Sequence, residues 1–132
     1  MVRCWRSRDW LKCSLEAVKE NLKDILERAA DAPDKVSFIR FIKGSVEETL
    51  DVPGNIPERI AFLHLDTDFY QSTLKELQVL FPRVVPNGTL RVDDYTTWHG
   101  SQKAVKEYLG DALMKDPLTG IRTMETKRVL LG

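Results

Sequence analysis

Apolar positions along this chain fall into two rhythms: stretches with a period near 3.6, and short compact runs. After Ser14, a residue suited to a helix N-cap, Leu15, Val18, Leu22, Ile25, Leu26 and Ala29 share one face of a predicted helix. Asp31-Ala32-Pro33-Asp34 ends it. Residues 35–42 alternate toward a strand, with Val36, Phe38, Phe41 and Ile42 apolar. Lys43-Gly44-Ser45 turns out of that strand, residues 46–50 suit a short helical turn, and residues 53–57 read as loop. Residues 59–65, with the apolar run Ile60-Ala61-Phe62-Leu63-His64-Leu65, form the clearest strand, and its compactness predicts burial. A helix follows from Phe69, with Leu74, Leu77, Leu80 and Phe81 on its apolar side, and Pro82 ends or kinks it. Pro86-Asn87-Gly88 predicts a turn into a strand at 89–93. Residues 102–113 predict a helix with Ala104, Val105, Tyr108 and Leu109 inward, and residues 121–131 a final strand or ragged hairpin. Residues 1–13 show no period and read as an irregular lead-in to one domain spanning 1–132. Strand–helix–strand–helix order predicts an α/β fold with a mostly parallel sheet.

Two acidic clusters follow the two central strands. Asp66-Thr67-Asp68 comes directly after Leu65, and Asp93-Asp94-Tyr95 directly after Val92. The carboxyl ends of parallel strands are where open α/β sheets bind ligands. If the strands are neighbours, the carboxylates of Asp66, Asp68, Asp93 and Asp94 crowd together and need a counter-charge. A hard divalent cation with oxygen ligands, Mg²⁺ or Ca²⁺, suits that need. Each residue also has a plainer reading. Asp66, Asp93 and Asp94 are acceptable strand-end turn residues, and Asp68-Phe69-Tyr70-Gln71 fits a capping box with Asp68 as the cap. Coincidence explains poorly why two strands one crossover apart both end this way. His64, inside the apolar strand, reads as a core histidine on the same face as Asp66. His99 reads as a loop residue, at the surface or touching substrate, and Trp98 as a lid or a packing residue.

Composition narrows the partners. The chain has 132 residues and 20 basic against 20 acidic side chains, so no global field draws it to nucleic acid. Arg3, Arg6 and Arg8 among Trp5 and Trp10 do not change that balance. No apolar run approaches membrane-spanning length, and the N-terminus lacks the apolar core of a secretory signal. Cys4 and Cys13 read as free thiols of a reducing compartment, so the expected location is cytoplasmic.

Residues 60–109 closely resemble the macrocin O-methyltransferase family of the TylF/MycF type. The shared pattern is an apolar strand, then Asp66, Asp68, Tyr70, Ser72 and Thr73, then Phe81-Pro82, Pro86 and Gly88. It continues through Asp93-Asp94-Tyr95, Trp98, Gly100 and Lys103-Ala104-Val105. Upstream, Ser14–Leu22 and Phe41–Leu50 also look like family segments, so the likeness covers roughly residues 14–109. The resemblance implies a Rossmann-like methyltransferase sheet, S-adenosylmethionine as cofactor, a divalent metal, and a sugar or natural-product hydroxyl as acceptor. It carries Asp66, Asp93 and Asp94 over as metal ligands and Asp68 as the general base. Tyr70, Trp98 and His99 become candidate acceptor contacts, and Gly44 with Ser45 the candidate cofactor contacts.

The chain departs from the pattern in places. Thr96-Thr97 stands where the family has Gly-His, Gln102 where it has Arg, and Asn87 where its turn has a first Gly. No glycine-rich strand–loop–helix precedes Ser14, which predicts a sheet truncated on its N-terminal side and little cofactor affinity. An uncovered face or edge would then favour self-association. Two other functions compete. Asp66-Thr67-Asp68 is also a D-x-D motif of metal-dependent glycosyltransferases, though the second acidic cluster argues against it. A non-catalytic module that keeps the methyltransferase fold would also lack the glycine-rich loop.

Overall fold

The computed structural model describes residues 14–28, 39–110, 114–115, 122–124 and 127–131. Two units emerge, residues 1–43 and 44–132. In the first, helix α1 spans Leu15–Arg28, and the Ala17 N–H donates to Ser14 Oγ at 3.1 Å, the cap that the sequence predicts. The apolar face is only half satisfied, because Ile25 is largely exposed. Residues 39–42 form no strand, contrary to expectation: a strand exists only as part of a ladder, and no described segment pairs with them. Phe41 instead lies beneath the Lys19 ammonium, 5.4 Å from its ring centre. The lead-in 1–13, both cysteines and the predicted helix stop at 31–34 lie outside the described residues.

The second unit holds the sheet. Its elements are α2 (Val46–Thr49), β1 (Ile60–Leu65), α3 (Tyr70–Leu80), β2 (Val84–Val92), α4 (His99–Leu109), β3 (Met114–Lys115), β4 (Arg122–Met124) and β5 (Lys127–Leu131). The strand order is β1-β2-β5-β4-β3. β1, β2 and β5 run parallel, and β4 and β3 continue antiparallel at one edge. The fold is therefore α/β with a three-stranded parallel sheet, and the predicted ragged hairpin is the β4–β5 pair.

Register sorts the side chains. Leu63, Leu90 and Val129 stand in one row across the three parallel strands and are buried. The next row, His64, Arg91 and Leu130, faces the other way and is exposed. Within residues 44–132, α3, the 3-10 turn Phe81–Arg83 that follows it and α4 cover one face, packing Leu77, Phe81, Val105 and Leu109 onto the inward rows. On the other face Phe62 is 58% exposed and Leu130 42%. His64 is thus not a core histidine: the strand is buried on one side only, and alternation turns His64 to the open side.

Two boundaries differ from expectation for local reasons. Pro86-Asn87-Gly88 is not a turn before a strand but a bulge within β2. Ile60 pairs with Val84 and Phe62 with Thr89, so β2 carries extra residues against β1. Asn87 takes φ 64, and a Cβ on Gly88 would lie 2.8 Å from the Val85 carbonyl and 3.0 Å from that of Ala61. Helix α4 begins at His99, earlier than the apolar period suggests. Gly100 permits this, because a Cβ there would lie 2.7 Å from Asp68 O and 2.8 Å from Tyr70 N. The helix start rests on the backbone of the acidic loop with no side chain between them.

Candidate metal and acceptor site

Parallel register brings the acidic clusters together. Leu65 pairs with Val92, and the ladder extends one step further, the Asp93 N–H donating to the Leu65 carbonyl at 3.0 Å. Asp66 and Asp93 therefore leave the sheet side by side, with Asp94 next. One carboxylate oxygen from each of Asp66, Asp93 and Asp94 lies within 4.8 Å of the others.

The three carboxylates are not equivalent. Arg91 donates to Asp93 Oδ1 from two nitrogens, at 2.6 and 3.2 Å, and His64 Nε2 lies 3.6 Å from the same oxygen. The Arg91 hydrogen bonds hold the Asp93 carboxyl below the usual carboxylate range, with help from the Arg91 and His64 charges. Asp94 is pushed the other way. Burial is the larger cause, followed by the negative charges of Asp68, Asp66 and Asp93 and a hydrogen bond with Asp66. An all-oxygen donor set in which Asp66 and Asp94 add like charge beside the Arg91-paired Asp93 fits a hard divalent cation.

Asp68 adjoins this group but does not cap α3. Phe69 occupies the N-cap position with no side-chain hydrogen bond, so the capping box does not form. Tyr70, at the start of α3, donates its hydroxyl to Glu107 Oε2 at 2.8 Å and lies under the Lys103 ammonium. That clamps α3 to α4. Trp98 is half exposed at the N-cap of α4, and its N–H closes the acidic turn on Asp94 O at 3.0 Å. His99 is an exposed helical residue, not a loop residue, because the chain is already helical once the Trp98 carbonyl accepts the Gln102 N–H.

The family profile described as macrocin O-methyltransferase (TylF) matches residues 3–126. This chain belongs to the macrocin O-methyltransferase (TylF) family. Over 111 residues it is 36% identical to the 8-demethyl-8-(2,3-dimethoxy-alpha-L-rhamnosyl)-tetracenomycin-C 4'-O-methyltransferase of Streptomyces olivaceus, covering 84% of this chain and 39% of that protein. It is 31% identical over 118 residues to the demethyldecarbamoylnovobiocin O-methyltransferase of Streptomyces niveus, covering 88% of this chain and 41% of that protein. A shorter match, 36% over 70 residues, is to the mycinamicin III 3''-O-methyltransferase of Micromonospora griseorubida. The chain spans about two fifths of the length of the first two relatives. Family membership favours a methyltransferase over the glycosyltransferase alternative.

The candidate cofactor contacts, Gly44 and Ser45, shape the turn that leads into α2. Gly44 has φ +144, and a Cβ there would lie 2.7 Å from Thr49 Cγ2, so the turn itself requires a glycine. Ser45 serves as the N-cap position of α2, its carbonyl accepting from Thr49 N and Oγ1. Among the described residues no glycine-rich loop forms a cofactor cradle, and no helix is long and apolar enough to cross a membrane.

Sequence reasoning missed a buried carboxylate beside the acidic loop. Glu76 of α3 is 8% exposed and accepts a hydrogen bond from Thr67 Oγ1 at 2.7 Å. Thr73, one turn earlier, donates to the Thr67 carbonyl at 3.0 Å. Burial pushes the Glu76 carboxyl up; the Thr67 hydrogen bond opposes this, and the charges of Glu47 and Asp66 add to it. A carboxyl raised by folding contributes stability in full below the ordinary value of 4.5, and this is lost as pH rises through the folded value. Glu76→Gln is therefore expected to match the parent in melting temperature near pH 4 and to exceed it at pH 7. Asp94 titrates in both proteins, so the difference isolates Glu76. Melting curves across this range, without added metal, check the sign.

Proposed function

We propose that this chain supplies the metal-binding and acceptor-activating edge of an O-methyltransferase that methylates a sugar hydroxyl of a natural product. The observation that supports this best is the convergence of Asp66, Asp93 and Asp94 at the carboxyl ends of β1 and β2, with Asp68 beside them. The relatives suggest the substrate class: one is named for a rhamnosyl-bearing tetracenomycin, and two carry names that specify the hydroxyl methylated. Asp66, Asp93 and Asp94 would hold Mg²⁺ or Ca²⁺. When bound, such a cation polarises an oxygen in contact with it and favours loss of its proton.

The chain's own residues do the rest on the acceptor side. Asp68, free of any capping duty, would accept the acceptor hydroxyl's proton as the hydroxyl oxygen bonds to the donor methyl and the methyl–sulfur bond of the sulfonium breaks, releasing a neutral thioether. Arg91 and His64 orient Asp93. Trp98 and His99, exposed at the start of α4, would contact the acceptor sugar. Holding the hydroxyl in line with the methyl supplies much of the remaining acceleration. S-adenosylmethionine is the donor that the family implies. The described residues offer it only Gly44 and Ser45, so no step is assigned to a cofactor grip.

The reading is tested by methyl transfer from labelled S-adenosylmethionine to a deoxysugar-bearing natural product. Transfer should occur with Mg²⁺, stop with a chelator and return when Mg²⁺ is restored. Transfer that ignores chelation would remove the metal from the account, and no transfer in any condition would remove the activity.

A further inference from the structure

Two residues of α3 grip the acidic loop at its middle residue. Thr67 lies between Asp66 and Asp68. Its hydroxyl donates to Glu76 Oε2 at 2.7 Å, and its carbonyl accepts from Thr73 Oγ1 at 3.0 Å. The two threonine hydroxyls are themselves 3.0 Å apart. Thr73 and Glu76 are three residues apart, so both side chains leave one face of the helix. Both are buried. The loop is thus fixed through side chain and backbone at a single residue, and the flanking aspartates inherit its position.

A carboxylate is a costly choice for this task. Burial disfavours its charge, and Glu47 and Asp66 disfavour it further. An apolar residue there would pack without that cost but could not accept the Thr67 hydrogen bond. What the side chain adds is an oxygen acceptor at a fixed point of a helix, which a carboxyl or an amide can supply and an apolar residue cannot. The helix is anchored in turn by fully buried Leu77, next in sequence to Glu76.

We propose that Glu76 is a positioning residue: through Thr67 it holds Asp66 and Asp68 in the arrangement that binds the cation and faces the acceptor. This rests on the metal-site reading above. Such a site tolerates little misplacement, because direct oxygen ligands lie within about 2–2.6 Å of Mg²⁺ or Ca²⁺.

The test is calorimetric titration of the whole chain with CaCl₂ and, separately, MgCl₂, with a metal-free melting curve for every variant. Glu76→Ala and Thr67→Val should each weaken cation binding about tenfold. Their combination should be no worse than either alone, because both break one contact. Glu76→Gln keeps an acceptor and should stay within about threefold of the parent, as should Thr67→Ser, which keeps the hydroxyl. If Glu76→Ala does not fold, Thr67→Val and Thr67→Ser read the same contact. Parent-like binding by Thr67→Val overturns the proposal, as does a loss in Glu76→Gln as large as in Glu76→Ala, since charge and not position would then matter. Asp93→Asn separates the two readings. If it abolishes binding while Thr67→Val does not, the metal site stands and the positioning role falls. If the parent binds neither cation, both fall.

Discussion

Asp68→Asn is expected to lower methyl transfer by roughly 10²–10⁴-fold, the usual worth of a positioned general base. Three features of the structure make this substitution informative. Asp68 makes no capping bond to α3, so its loss should leave the helix start and the melting temperature nearly unchanged. Asparagine is nearly isosteric and caps as well as aspartate, so any role in local structure is preserved. The Asp68 charge also helps to raise Asp94, so removing it relieves repulsion within the cluster. Turnover should collapse while folding and cation binding persist. Turnover within a fewfold of the parent would reject the base assignment and leave Asp68 a spectator.

Leu77→Ala is expected to cost about 2–5 kcal/mol of stability, the range for truncating a fully buried leucine. Leu77 has no exposed surface and lies in the cluster shared by β1, β2 and α4. It is the point at which α3 is pressed onto the sheet, and Glu76 and Thr73 hang from the same helix. A domain of this size holds about 5–15 kcal/mol in total, so the variant should stand near its unfolding threshold. Urea denaturation measures the loss. A cost below about 1 kcal/mol would mean that α3 does not pack on the sheet as described.

Much of the central unit was legible in the sequence because its signals are local. The apolar run 60–65, the helical period after Phe69 and the inward positions of α4 each carry their own period, and the acids follow the strands directly. That two strands would place Asp66 beside Asp93 followed from strand–helix–strand order alone. What escaped notice depends on contacts between elements. Glu76 looks like any solvated helix carboxylate until the helix is laid against the Thr67 loop. Arg91 reads as an exposed strand residue. Only strand alternation, which returns Arg91 to the side of Asp93, and the pairing of His64 with Arg91 show how Asp93 is held. Helix α4 starts earlier than its apolar period implies because its first turn packs through Gly100, a residue with no side chain to register in a hydrophobic pattern. The bulge in β2 reads as a turn because Asn87 and Gly88 satisfy the demands of both. The strand expected at 35–42 failed over 39–42, since alternation describes a strand's faces and not its partner.

The most direct measurement is calorimetric titration of the chain with CaCl₂ and with MgCl₂, comparing the parent with Asp66→Asn and Asp93→Asn. The account predicts one saturable site in the parent, weakened at least tenfold (about 1.4 kcal/mol) in each variant, with both variants folded. Absence of saturable binding in the parent, or equal binding in all three proteins, would contradict it.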